Sequence, residues 1–186
     1  MDDYPEHLVP PRDAFGSIDT ERFKEWWAGA QKFYSNVPEE CARYWIFEHW
    51  GVSPYGSLKS KDYRFERQAW PVQKLPEVRS TWCRFDPEHK ECREKGQELC
   101  RKKMLNGERY PTAGYMMDEG KFPTPIVVLN NLDGHMSEEK VGRRDGLPVS
   151  LVLMEGHTRF NIGLHLLSVD RLGPTVDVWF MERIRA

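Results

Sequence analysis

The sequence predicts an α+β domain: a small mixed sheet with flanking helices, preceded by an N-terminal helical hairpin. Three observations carry that prediction. Residues 125–129 and 149–154 are short runs dominated by aliphatic side chains, the pattern of strands covered on both faces. Residues 175–184, Thr-Val-Asp-Val-Trp-Phe-Met-Glu-Arg-Ile, read as a last strand. Phe23, Trp26, Trp27, Ala30, Phe33 and Tyr34 recur every three or four residues and line one face of a helix.

The elements follow in order. Residues 1–16, with Pro5, Pro10 and Pro11, form an extended lead-in, and the first helix begins at Asp19. A second helix has Asn36 as N-cap, Pro38 in its first turn and Glu39 three residues after the cap. It turns Cys41, Ala42, Trp45, Ile46 and Trp50 inward and ends at Gly51. After a loop over 52–64, Tyr63 to Trp70 alternates as a strand, and 72–78 reads as an edge strand interrupted by Pro76. Asp86-Pro87-Glu88 opens a helix that runs to Leu105 and stops at Asn106-Gly107. Its acids and bases alternate, as on a solvated, ion-paired face. Residues 130–146 form a polar insertion between the two aliphatic strands. Phe160, Gly163, Leu164 and Leu167 mark a helix after the second of them. Residues 1–64 read as arm and hairpin, and 65–186 as the second domain.

Composition narrows the function. Of 186 residues, 27 are Lys or Arg and 29 are Asp or Glu, so a net charge of −2 argues against broad nucleic-acid backbone binding. A local basic patch stays open. No aliphatic run approaches the roughly 20 residues that span a bilayer, so no membrane partner is expected. The first residues lack the basic and apolar regions of a secretory leader, which predicts a cytoplasmic location with reduced thiols at Cys41, Cys83, Cys92 and Cys100. A zinc set of Cys83, His89, Cys92 and Cys100 is disfavoured, because one helix would hold the last two cysteines about 12 Å apart. Four of the seven tryptophans, Trp26, Trp27, Trp45 and Trp50, lie in the hairpin, where they serve either as core or as a protein-docking surface.

The most informative segment is Glu155-Gly156-His157-Thr158-Arg159, where a buried strand gives way to a helix within two or three residues. Thr158 is the expected N-cap. The first-turn amides and the helix dipole together attract phosphate. Arg159 adds a planar fork for phosphate oxygens, and His157 is suited to proton transfer near neutral pH. Glu155 is a candidate base or metal holder. The competing arrangement pairs Arg159 with Glu155 and leaves the turn structural. Asp133-Gly134-His135 is first a turn signal, and Arg143-Arg144 a solvated loop. No Walker, Gly-x-Ser-x-Gly or His-Glu-x-x-His motif occurs.

Pro-Ile-Val-Val at 125–128, a spacer, and Leu-Val-Leu-Met-Glu-Gly-His-Thr-Arg at 151–159 followed by an apolar helix resemble the ParB N-terminal/sulfiredoxin superfamily. The pentapeptide is nearest the Asp-Gly-His-His-Arg motif of its ParB-like kinases, with Thr158 in place of the second histidine. The resemblance covers about residues 112–184. It implies a nucleotide-binding domain over 65–186, in which Gly156, His157, Thr158 and Arg159 cradle the phosphates of ATP or another nucleotide with Mg²⁺. Glu155 and His157 become the catalytic candidates for triphosphate hydrolysis or phosphoryl transfer. The sulfiredoxin cysteine would fall at His157, which excludes sulfinic-acid reduction. The kinase branch also uses an acid ahead of the first strand, and Asp118 or Glu119 lies about there. The alternative is a non-catalytic protein- or DNA-binding module on the same scaffold.

Overall fold

The computed structural model describes residues 5–51, 60–137 and 146–184. Its centre is one five-stranded mixed sheet: β1 (Tyr63–Pro71), β2 (Val78–Arg79), β3 (Ile126–Asn130), β4 (Leu151–Glu155) and β5 (Thr175–Arg183). The spatial order is β1-β5-β3-β4-β2. β1 and β5 pair antiparallel from Tyr63↔Arg183 to Pro71↔Thr175. β3 runs parallel to β5 and antiparallel to β4, and β2 runs parallel to β4. The chain is therefore α+β with a mixed sheet, as its pattern predicts.

The aliphatic strands are buried on both faces because two helical layers cover them. Ile126, Val128, Leu151, Leu153 and Val178 face α3 (Lys90–Arg101), α4 (Pro111–Glu119) and α5 (His157–Ser168). Val127, Leu129, Val152, Met154 and Met181 face the N-terminal helices α1 (Phe23–Ala30) and α2 (Glu39–Cys41). Trp26, Trp27, Trp45 and Trp50 all lie within that second layer, at 9% exposure or less. The hairpin tryptophans are thus core, and the sheet is what covers them. Trp179 Nε1 donates to Glu40 Oε2 at 2.8 Å, and Asn36 Nδ2 donates to the Tyr63 carbonyl at 2.7 Å, tying this layer to the sheet edge. The lead-in is pinned too: Trp26 Nε1 donates to the Leu8 carbonyl at 2.6 Å.

Several boundaries differ from expectation. Pro38 is extended (ψ 142°) and becomes the cap of α2, so Asn36 spends its amide on β1 instead. α2 continues as a π-helical stretch, Ala42–Phe47, closed by Glu48 N donating to the Arg43 carbonyl at 3.2 Å. Residues 72–77 form a 3-10 helix rather than a strand, leaving only Val78–Arg79 to pair with β4. Asp86 does accept from the amides of Glu88 and Lys90, at 2.9 and 3.0 Å. His89 takes a left-handed φ of 54°, so α3 starts at Lys90, and it ends at Arg101 before extended Lys102.

The thiol expectation is corrected. Cys83 and Cys92 form a disulfide, their Cα atoms 5.7 Å apart, while Cys41 and Cys100 are free. The late start of α3 lets the 3-10 turn Thr81–Cys83 fold back onto its first turn. Among the described residues, no helix is long and apolar enough to cross a membrane.

Candidate functional site

β4 ends at Glu155, and the chain enters α5 through Gly156 with φ 93° and ψ 25°. This conformation is left-handed, and a Cβ there would lie 2.5 Å from Ile126 Cγ2, so only glycine fits. Gly156, not Thr158, is therefore the N-cap, because the reversal from strand to helix needs the positive φ one residue before His157. A glycine cap brings no side chain of its own to the first turn of the helix. The first helical bond is Phe160 N to the Gly156 carbonyl at 2.8 Å.

A second helix starts at the same place. α4 is capped by Tyr110, again without a side-chain hydrogen bond, and has Pro111 as its first residue. Tyr110 and Thr112 line one cavity of about 400 Å³ together with residues 154–159. Two helix N-termini thus open onto the same space, each carrying about half a positive charge. The opposite wall comes from the π-helical segment and the residues after it. Tyr44 and Glu48, like Trp45 and His49, are four residues apart, and the wide π turn presents all four to the cavity. A register shift in the β3–β4 ladder, between Val127 and Val128, falls beside Glu155. Such irregularities re-aim side chains at the end of a strand.

Glu155 and Arg159 are bound to each other, and Arg159 Nη2 also donates to the Pro125 carbonyl at 3.3 Å. The Arg159–Glu155 pair of the competing arrangement is therefore present, while its Thr158 cap is not, since Gly156 caps the helix. Arg159 Nε is buried and has no acceptor among the described residues. To grip a phosphate, the guanidinium must leave or share Glu155. Burial raises the Glu155 carboxyl above its ordinary value, against the opposing pull of Arg159. Burial likewise raises Glu48, opposed by His49 and Arg43, and the charge of Glu155 pushes it the same way. Two carboxyl groups inclined towards their protonated forms therefore share the cavity with two helix N-termini.

His157 stands under the turn before α3. Thr81 Oγ1 lies 3.3 Å from its Nε2, and the Trp82 indole stacks on its ring, centroids 4.8 Å apart and planes 24° from parallel. All five residues of the motif line the cavity. Asp118 and Glu119 do not: Asp118 binds Arg109 at 2.9 Å, and Glu119 lies 3.7 Å from Lys121. Asp133 and His135 are bound to each other near β1, where His135 Nε2 is 3.1 Å from the Tyr63 hydroxyl. Arg143 and Arg144 lie outside the described residues. Among the described residues, no group of three or more His, Cys, Asp or Glu is placed to hold a metal ion.

Comparison with protein-family models, curated proteins and solved structures gives no match. Sequence reasoning missed Glu48, His49, Trp82, Tyr110 and Thr112. The one local signal was Pro111, a residue favoured at the first position of a helix.

Proposed function

We propose that the cavity binds the phosphates of a nucleotide together with Mg²⁺ and supports hydrolysis of the triphosphate or phosphoryl transfer. The observation that carries this reading is the pair of helix N-termini, those of α4 and α5, opening onto one cavity. In this reading Gly156, His157, Thr158 and Arg159 hold the phosphates by backbone amides, the threonine hydroxyl and the guanidinium. Glu155 releases Arg159 as the anion arrives. His157 moves a proton at Nε2, and Glu155 or Glu48 serves as its acid or base partner.

The donor set suits Mg²⁺, which takes one or two carboxylates and completes its shell with phosphate oxygens and water. Glu48 is the residue that would lend oxygen, and the ion would neutralise charge on the phosphates. A place in the ParB/sulfiredoxin-like group belongs to the same proposal, supported by the motif's position at the end of a buried strand and the start of a helix. So does a cytoplasmic setting.

Calorimetry with ATP, CTP and GTP, with and without Mg²⁺, tests the reading. Binding by the wild type should weaken about tenfold or more in Arg159→Ala, the loss of one charge-assisted hydrogen bond. No binding by the wild type, or equal binding by the variant, ends it.

A further inference from the structure

The Cys83–Cys92 disulfide closes a loop across nine residues and sits beside the proposed site. Cys83 completes the 3-10 turn whose other two residues, Thr81 and Trp82, both touch His157. Cys92 belongs to the first turn of α3. That helix is locked onto α5 at Gly96, where an added Cβ would meet the Asn161 carbonyl oxygen at 2.0 Å. The bond thus fastens the turn covering His157 to a helix whose position is set elsewhere. Between the cysteines, Arg84, Phe85 and His89 hold φ values of 50°, 59° and 54°. Non-glycine residues keep such left-handed conformations only where their surroundings enforce them, and closure of the loop is one such restraint.

We infer that Cys83 and Cys92 form a reversible thiol–disulfide site that governs access to His157. A dithiol reductant attacks the sulfur of Cys83, which lines a second cavity of about 250 Å³ shared with Trp82 and Asn161. The S–S bond breaks and Cys92 leaves as a thiolate, favoured by its place in a first helical turn, then takes up a proton. The second thiol of the reductant displaces Cys83. The dithiol ends as a disulfide, and the chain gains two electrons and two protons as two thiols. Relaxation of the turn then lifts the Trp82 indole from the His157 ring. The consequence for nucleotide chemistry rests on the proposed function; the movement itself does not.

The full chain is studied by NMR of the His157 ring, assigned with His157→Gln, before and after dithiothreitol. Thiols are counted by alkylation in denaturant and intact mass. Two labels are expected before reduction and four after, since two of the four cysteines are free. Reduction should move the His157 ring protons downfield as the indole ring current is lost. The double substitution Cys83→Ser/Cys92→Ser should show the reduced-state shifts without any dithiol. Four labels before reduction overturn the inference, as do unchanged shifts after complete reduction or a loss of far-ultraviolet circular dichroism on reduction. A chain that shows the shift but binds no triphosphate keeps this switch and loses the nucleotide reading.

Discussion

Glu155 and Arg159 bind each other across the β4–α5 junction, with only 13% and 15% of their side chains exposed. The carboxylate occupies the guanidinium that a phosphate would need. Glu155→Gln should therefore tighten binding of Mg·ATP by about tenfold, since a neutral amide competes less for the cation. The same change should abolish turnover if Glu155 is the base. It should also cost about 1–3 kcal/mol of stability, because a partly buried guanidinium loses its counter-charge. Calorimetry and urea unfolding read the two effects, and unchanged affinity would show that the ion pair does not gate the site.

Gly156 and Gly29 should respond in opposite directions to alanine. At Gly156 the new Cβ meets Ile126 Cγ2 at 2.5 Å in a left-handed conformation, for a loss of about 2–4 kcal/mol. At Gly29, inside α1, none of the described residues lies within 4 Å of the added carbon, so alanine should gain about 0.5–1 kcal/mol. Chemical denaturation of both variants checks the pair. A tolerated Gly156→Ala would mean that the turn does not hold the strained geometry described.

Trp45 is 1% exposed, belongs to the core layer on the sheet and lines the cavity. Trp45→Ala should cost about 3–5 kcal/mol. Removal of residues 1–51 should do worse, stripping the layer that covers Val127, Leu129, Val152 and Met154. Gel filtration of the truncated chain should show aggregates; a soluble monomer would mean that the hairpin is a detachable docking element.

Glu48 sets a pH dependence. Burial raises its carboxyl above the ordinary 4.5, so the folded chain keeps that proton to higher pH than the unfolded chain does. The associated stability is full below about pH 4.5 and is lost as pH rises through the folded value. Glu48→Gln has no such loss. Its stability relative to wild type should climb from about pH 4.5 upward, as measured by urea unfolding across that range. A difference that stays constant with pH would rule the account out.

Some of this architecture was legible in the chain. Ile126 to Leu129 and Leu151 to Met154 announce strands buried on both faces, and the tryptophan spacing announces a helix with a face to bury. Their mutual cover follows from the need of each apolar surface for a partner. Less was legible at helix starts, where Pro38 and His89 shifted α2 and α3 through backbone angles that single residues impose. The disulfide was not legible, since the expectation of reduced thiols rests on compartment and not on the Cα separation that the fold sets. At the site, the motif from Glu155 to Arg159 could be read directly, because one glycine and its neighbours form a local turn. Glu48, Trp82 and Thr112 could not, since nothing near them in sequence marks the cavity they share.

The amino-acid order alone determined the aliphatic strands, the helix after them and the glycine turn between, for these depend on periodicity and on residues within a few positions of one another. The tertiary structure decided what surrounds that turn. Arg159 meets Glu155 rather than solvent, Trp82 covers His157, and the π-helical segment delivers Glu48. Each of these contacts joins elements whose approach is set by packing two helical layers onto one sheet, a global condition that local sequence does not encode.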